Sequence, residues 1–114
     1  MLKLLSYLCK KPGMTAEEFV GYYEHQHVPL ILSLAPAPEV YKRHYLQRAD
    51  RLNIGEASID FDVVTELQWA RRSDFQRWIG AVTTGTAGQR VVADEARFLD
   101  RSRTRASVVV DYVS

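Results

Sequence analysis

The residue in this sequence best suited to acid and base chemistry is His27. It lies in the segment MTAEEFVGYYEHQHVP, residues 14–29, whose spacing predicts an amphipathic helix with Thr15 as its N-cap. At about 100° per residue, His27 falls at the rim of the buried face. A neutral imidazole at a cavity edge can accept a proton from carbon or oxygen near neutral pH and return it elsewhere, as isomerisation, dehydration and aldol-type cyclisation require. The alternative is a histidine that caps its own helix or pairs with a core carboxylate.

Two further catalytic candidates lie on predicted strands. Tyr45, on the second strand, could donate a proton to a developing enolate, or pack with its hydroxyl satisfied at the cavity edge. On the third strand, Asp62 and Glu66 share one face roughly 13 Å apart, which is too far for a close pair of acids. Asp62 could orient His27, or accept hydrogen bonds where the strand begins.

Substrate contacts are predicted for the same strands and for a set of aromatic side chains. Glu66 is either an active-site carboxylate or half of an ion pair with Arg43 or Lys42 on the neighbouring strand. His44 precedes Tyr45, and a shift of one residue in strand register would exchange their roles. A flat apolar pocket, or alternatively a plain core, is predicted from the aromatic residues Tyr22, Tyr23, Trp69, Trp78 and Phe98.

The histidines and the cysteine do not form a metal-binding pattern. His25 and His27 are two residues apart on a helix, so their side chains point about 160° apart and cannot share one ion. With three histidines and one cysteine, the sequence has no recognisable ligand spacing. We therefore expect no metal site.

The net charge and the amino-acid composition argue against nucleic acid and membranes as partners. With 15 Lys and Arg against 14 Asp and Glu, the net charge is +1. No stretch approaches the roughly 20 apolar residues of a membrane span, and residues 1–11 lack the cleavage site of a signal peptide. A length of 114 residues and a single cysteine predict one domain, residues 1–114, in the cytoplasm.

Apolar periodicity predicts the elements that would position these residues. Strands are predicted at residues 2–10, 40–47, 61–69 and 104–113. The first helix should end near His27, because Pro29 disfavours helical geometry at Val28. Further helices are predicted from Ser73 to Gly80 and at residues 87–99. The order indicates an α+β, ferredoxin-like βαββαβ fold, with a four-stranded antiparallel sheet and helices on one face.

The first and last strands indicate how the protein assembles. Each of these strands is apolar on both of its faces, whereas helices on one side of the sheet would cover only one face. The bare face must meet another apolar surface, and the simplest partner is a second copy of the chain. We therefore expect a homodimer that closes sheet on sheet.

Three segments together carry a resemblance to a known family. They are KKPGMTAEEFVGYYEHQHVPL near the start, the strand from Asp62 to Trp69, and ADEARFLD at residues 93–100. With them, the chain resembles the EthD family of dimeric α+β barrel proteins. The resemblance implies a ferredoxin-like fold, dimers closing sheet on sheet, and no organic cofactor.

The resemblance also suggests residue roles. The helix-end histidine of the family falls on His27, its third-strand acids on Asp62 and Glu66, and its second-strand tyrosine on Tyr45, although Pro38-Glu39 replaces the usual Pro-Gly. Members include ether-degradation gene products, methylmuconolactone isomerases, and decarboxylases or dehydratases of aromatic polyketides, so the family fixes fold better than reaction.

Three functions follow as expectations. The first is a cofactor-independent enzyme using acid and base chemistry on a small aromatic, polyketide-like or lactone substrate, with His27 as proton shuttle, Tyr45 as electrophilic support and Asp62 as orienter. Its substrate would also contact Tyr23, His44, Glu66, Trp69 and Phe98. The alternatives are a cofactor-free monooxygenase of aromatic polyketides and a non-catalytic binding or accessory protein.

Overall fold

One antiparallel sheet organises the chain, with its strands in the spatial order β2-β3-β1-β4. The computed structural model describes all residues from 1 to 114. The strands are β1 (Leu2–Leu8), β2 (Val40–Tyr45), β3 (Val63–Trp69) and β4 (Arg105–Val109). The helices are α1 (Ala16–Tyr22), α2 (Val28–Leu34), α3 (Arg72–Thr83) and α4 (Gly85–Glu95). Single turns of 3-10 helix occur at Glu56–Ser58 and Arg101–Arg103.

The first helix begins as its sequence predicts. The Thr15 hydroxyl accepts a hydrogen bond from the Glu18 backbone N–H, and the Glu18 carboxylate accepts one from the Thr15 N–H. This reciprocal capping box satisfies two donors that a helix N-terminus leaves without intrahelical partners.

The predicted end of this helix at His27 is wrong. The chain continues through a π-helical segment, Tyr23–His27, directly into α2, with Pro29 in the first turn of α2. Proline lacks an N–H and its ring clashes with the carbonyl four residues earlier, so an α-helical path through Pro29 is strained. The wider π turn, in which the Val28 N–H bonds to the Tyr23 carbonyl, lets the helical path continue.

Several other predicted boundaries also move. Helix α3 passes through Gly80 and ends at Thr83, while α4 ends at Glu95 rather than residue 99. Strand β4 stops at Val109, because it lies at the sheet edge and the residues after it are exposed. These shifts leave the predicted order of strands unchanged.

The core lies between the helices and one face of the sheet. Alternate residues of β3 point into it: Val63, Thr65, Leu67 and Trp69 are each at most 4% exposed. The helices contribute Phe19 and Tyr23, which are both buried, so these positions form the floor and roof of one interior. None of the helices is both long enough and apolar enough to cross a membrane.

Candidate active site

A cavity of about 350 Å³ opens between the inner face of the sheet and the helices. Its floor comes from β1, β2 and β3, its roof from the π-helical segment and α2, and its side from α3 and α4. Apolar and aromatic side chains make up most of the wall, among them Ile31, Tyr41, Leu67, Trp78, Val82 and Val91. A small organic molecule with an apolar body suits such a space.

His27 lines this cavity and is held by Asp94. The His27 Nδ1 atom lies 2.8 Å from Asp94 Oδ2, and the histidine is 6% exposed. An ionised carboxylate only accepts hydrogen bonds, so the imidazole must carry its proton on Nδ1 and donate it to Asp94. The other nitrogen, Nε2, makes no hydrogen bond with the protein, and in the neutral imidazole it carries the lone pair that can accept a proton.

Asp94 is itself fixed from a second direction. The Tyr22 hydroxyl donates to Asp94 Oδ1 at 2.6 Å, so each carboxylate oxygen has one donor. Burial and the nearby carboxylate raise the pKa of Tyr22, which keeps that phenol protonated as a donor. The three side chains form a fixed chain from Tyr22 through Asp94 to His27.

The π-helical segment sets the direction of the imidazole. Tyr23 and His27 stand at its two ends, and their rings meet edge to face with centroids 5.3 Å apart. The Phe98 ring, which is fully buried, packs 4.9 Å from the imidazole. Both contacts restrict rotation of the His27 ring, which is part of the cavity wall.

Two hydroxyls on the cavity wall complement the base. Tyr23 Oη and Thr65 Oγ1 lie 2.6 Å apart, and both residues line the cavity. Only one of the two protons is needed for their mutual bond, so the pair keeps one donor for a bound oxygen atom. Burial raises the pKa of Tyr23 to about 12, and burial also raises the pKa of Tyr41 beside it. Both phenols are thus neutral donors at neutral pH.

Asp62 does not orient His27, and the prediction of that role is wrong. Its Oδ2 accepts a hydrogen bond from the Lys10 N–H at 2.8 Å, and Arg48 lies 3.8 Å from its Oδ1. This is the alternative role, in which the carboxylate accepts hydrogen bonds where β3 begins. The carboxylate that contacts the His27 ring is that of Asp94.

Tyr45 is also turned away from the cavity. Its hydroxyl donates to Glu24 Oε2 at 2.5 Å, and the same carboxylate receives two hydrogen bonds from Arg43, at 2.7 and 2.9 Å. Arg43 in turn stacks over the Tyr41 ring, 4.9 Å from its centroid. Within the structure, Tyr45 therefore supports the cavity wall from behind, and Tyr41 occupies the wall.

Glu66 and His44 lie on the opposite face of the sheet, so the structure does not bring them to His27. His44 Nε2 is 3.1 Å from Glu66 Oε1, and Lys3 Nζ is 3.5 Å from Glu66 Oε2. Glu66 was expected to be either an active-site carboxylate or half of an ion pair with Arg43 or Lys42. The structure shows an ion pair, but its cation is Lys3. Arg43 is on the inner face, paired with Glu24.

The remaining predicted contacts divide between cavity and core. Tyr23 lines the cavity, whereas Phe98 packs behind His27. Trp69 borders a smaller adjoining pocket of about 230 Å³, which it shares with Trp78. Asp94 and Tyr41 were missed by the sequence analysis. The signal for Asp94 was present, because it lies in the family-like segment at residues 93–100 and follows the core residue Val91 at helical spacing.

No group of three or more His, Cys, Asp or Glu side chains is arranged to hold a metal ion. The lone cysteine, Cys9, is buried, and its thiol donates to the Asp60 carbonyl. The candidate chemistry therefore centres on His27 and Asp94.

Comparison with known families decides the affiliation. Residues 11–102 match the family model described as the EthD domain. The chain belongs to the EthD family. This confirms the predicted resemblance, and the matched range contains the whole Tyr22, His27 and Asp94 chain. A search of curated protein sequences finds no match.

Solved structures confirm the ferredoxin-like fold of this EthD protein. An EthD family protein from Bacillus halodurans C-125 superimposes with a TM-score of 0.64 at 17% identity, over 98% of this chain and 100% of that one. An uncharacterized NIPSNAP domain protein from Burkholderia xenovorans gives 0.64 at 13% identity, over 98% and 95%. A dimeric ferredoxin-like protein of unknown function from Thermobifida fusca gives 0.51 at 13% identity, over 96% and 89%. At these identities the likeness shows the fold alone.

Proposed function

We propose that this EthD protein is a cofactor-independent enzyme that moves a proton on a small organic substrate, with His27 Nε2 as the base. The observation that carries the proposal is the 2.8 Å contact between His27 Nδ1 and Asp94 Oδ2, with His27 in the wall of the cavity. A base whose other nitrogen is held by a carboxylate has a defined tautomer, and it gains stabilisation when it takes a proton.

The cavity wall supports a substrate that is aromatic, polyketide-like or a lactone. Apolar side chains and the rings of Tyr41 and Trp78 suit a flat body, and the hydroxyl pair of Tyr23 and Thr65 suits a carbonyl oxygen. Proton abstraction next to a carbonyl builds negative charge on that oxygen, which a fixed hydroxyl donor stabilises. Isomerisation, dehydration, cyclisation and decarboxylation share this enolate chemistry, so the proposal places the protein among isomerases or lyases of aromatic degradation or polyketide biosynthesis.

In the proposed step, His27 Nε2 takes a proton from the carbon beside the substrate carbonyl. The electron pair of the broken C–H bond forms a C=C bond to the carbonyl carbon, the π pair of the carbonyl moves to its oxygen, and the hydroxyl pair donates to that oxygen. The imidazolium then returns the proton to another position of the substrate. Asp94 stabilises the charged ring throughout, and Tyr22 keeps Asp94 in place.

A test follows from carbon acidity, because an enzyme that abstracts such protons exchanges them with solvent. The probe is 2-tetralone in D₂O, and proton NMR follows the entry of deuterium at C1 and C3, the two carbons next to its carbonyl. We expect the wild-type protein to accelerate exchange and His27→Gln to remove the acceleration. His25→Gln is the matched control, because His25 is exposed on the same segment.

Each alternative function predicts a different result in this assay. Exchange that survives His27→Gln contradicts the proposal. Binding of the ketone without exchange indicates a non-catalytic binding protein. Oxygen consumption that depends on an added aromatic polyketide indicates a cofactor-free monooxygenase.

We also propose that two copies pair through the outer sheet face. Leu5, Tyr7 and Val64 form a half-buried apolar patch there, next to the Lys3 and Glu66 pair. An apolar patch rimmed by charges of both signs complements a second copy of itself. Native mass spectrometry should show a dimer for the wild type and a monomer for Val64→Asp. A wild-type monomer overturns the pairing.

A cytoplasmic location is part of the same proposal. The single cysteine is buried and has no partner for an internal disulfide, which suits a reducing compartment. Fractionation of cells that produce the protein tests this location.

A further inference from the structure

The cavity opens beside one arginine, Arg101, which stands next to Glu95. Arg101 begins the 3-10 turn that precedes β4, and Glu95 is the last residue of α4. Both residues line the cavity, and they are the only Asp, Glu, Lys or Arg residues in its wall. The Arg101 Nε donates to Glu95 Oε1 at 3.3 Å, and this is the one hydrogen bond that the guanidinium makes with the protein.

The neighbouring arginines are held much more firmly. Arg103 donates to the Asp60 carbonyl at 2.8 Å and pairs with its carboxylate at 3.3 Å. Arg105 pairs with the same carboxylate at 3.1 Å. Arg101 instead makes no hydrogen bond through either terminal nitrogen, although its side-chain exposure of 46% is close to that of Arg103 and Arg105. Long ion pairs with that much exposure stabilise a fold very little, so the contact with Glu95 does not explain why a cation stands at this opening.

We infer that Arg101 binds a carboxylate on the substrate, which makes the substrate class an aromatic or polyketide-like acid. The inference rests on the proposed function, because it concerns the same cavity. A carboxylate can accept two parallel hydrogen bonds from the free edge of a guanidinium, while the apolar remainder of the molecule enters the cavity toward His27.

Glu95 sets the selectivity of this contact. In the unliganded protein its carboxylate occupies one edge of Arg101, and an incoming acid must add to or replace that contact. Removal of the Glu95 charge should therefore strengthen binding of an acid, whereas removal of the Arg101 charge should weaken it. Neither change should affect a neutral ligand of the same shape, because neutral ligands gain little from either charge.

Two ligands of nearly equal shape, one charged and one neutral, distinguish the effect of ligand charge from the effect of ligand shape on binding. The probes are 2-naphthoate and its neutral analogue 2-naphthamide, titrated into the 114-residue protein by isothermal calorimetry at pH 7. We expect the wild type to bind the acid about tenfold more tightly than the amide, which corresponds to about 1.4 kcal/mol. Arg101→Gln should abolish this preference and Glu95→Gln should enlarge it. Arg103→Gln, the matched control, should retain it, since Arg103 is tied to Asp60 outside the cavity.

The possible failures are distinguishable from one another. If acid and amide bind equally to the wild type, or if the preference survives Arg101→Gln, the inference about Arg101 is overturned while the cavity proposal stands. If neither compound binds, the inference is overturned, and the proposed aromatic substrate class is contradicted with it. Circular dichroism of Arg101→Gln identifies any loss of binding that comes from misfolding. If that variant is misfolded, the preference of the wild type for the acid and the effect of Glu95→Gln decide whether Arg101 binds a carboxylate.

Discussion

Asp94 Oδ2 lies 2.8 Å from His27 Nδ1, although 67 residues separate the two in the chain. The contact joins the π-helical segment to α4 across one end of the cavity. It gives the imidazole a fixed tautomer, and the Tyr22 hydroxyl fixes the carboxylate in turn. The proposed chemistry depends on this pair more than on any other contact.

The first prediction concerns Asp94→Asn. An asparagine can donate its amide hydrogen to Nδ1, which would move the imidazole proton to Nε2 and remove the base. We expect the rate of 2-tetralone exchange to fall on the order of a hundredfold to ten-thousandfold, as when a carboxylate that orients a catalytic histidine is neutralised. Urea unfolding should show a folded protein. Asp74→Asn is a control, because Asp74 pairs with arginines at the start of α3. Unchanged exchange in Asp94→Asn contradicts the assigned role.

A second prediction compares two tyrosines. Tyr23→Phe removes the hydroxyl that bonds Thr65 in the cavity wall, whereas Tyr45→Phe removes a hydroxyl that is directed to Glu24. We expect Tyr23→Phe to slow the exchange by about a hundredfold, the cost of losing a donor to a developing oxyanion. Tyr45→Phe should leave the rate within a few-fold of the wild type. The reverse order of effects would restore Tyr45 as the electrophilic residue.

Local patterns in the sequence predict much of this fold. The capping box of Thr15 and Glu18 involves neighbouring residues, so its geometry follows from spacing alone. The alternation along β3 placed Val63 and Thr65 on one face, and both are buried. The same alternation places Glu66 on the other face of the sheet. The sequence pattern therefore already indicates that Glu66 and Thr65 do not belong to one site.

The candidate site was harder to predict, because it depends on contacts between distant segments. Asp62 and Asp94 are both acids near apolar positions, and only the packing of α4 against the π-helical segment shows which one meets His27. The π turn at Tyr23–His27 could not be predicted either, because a proline at position 29 normally indicates the end of a helix. Helix periodicity describes one element at a time, whereas the site requires the relative placement of two.

A third prediction concerns acid stability and Glu24. The hydrogen bonds from Arg43 hold the pKa of the Glu24 carboxyl below its usual range, against an opposing effect of burial. A carboxyl with a lowered pKa in the fold contributes stability above its unfolded pKa of about 4.3, and this contribution is lost as the pH falls through the folded value. Glu24→Gln should thus be less stable than the wild type at pH 7, by roughly 1–3 kcal/mol, with a smaller difference at pH 3.

Urea unfolding of both proteins at pH 7 and pH 3 measures this effect. Glu17→Gln is the control, because Glu17 is exposed in α1, which leads into the segment that holds Glu24, and should leave the acid dependence as in the wild type. An equal difference between Glu24→Gln and the wild type at both pH values would show that the ion pair with Arg43 does not contribute to acid stability.

A fourth prediction concerns Gly88, which lines the cavity where α3 meets α4. A Cβ atom at this position would lie 2.5 Å from the Thr83 carbonyl carbon and 2.6 Å from its oxygen, both backbone atoms that cannot rotate away. Gly88→Ala should therefore destabilise the protein by roughly 1–3 kcal/mol, as overpacking does. Gly80→Ala is the matched control: Gly80 lies within α3 with no atom near its absent Cβ, so alanine should stabilise by about 0.5–1 kcal/mol. Thermal and urea unfolding measure both variants, and equal effects of the two would show that α3 and α4 can separate without cost.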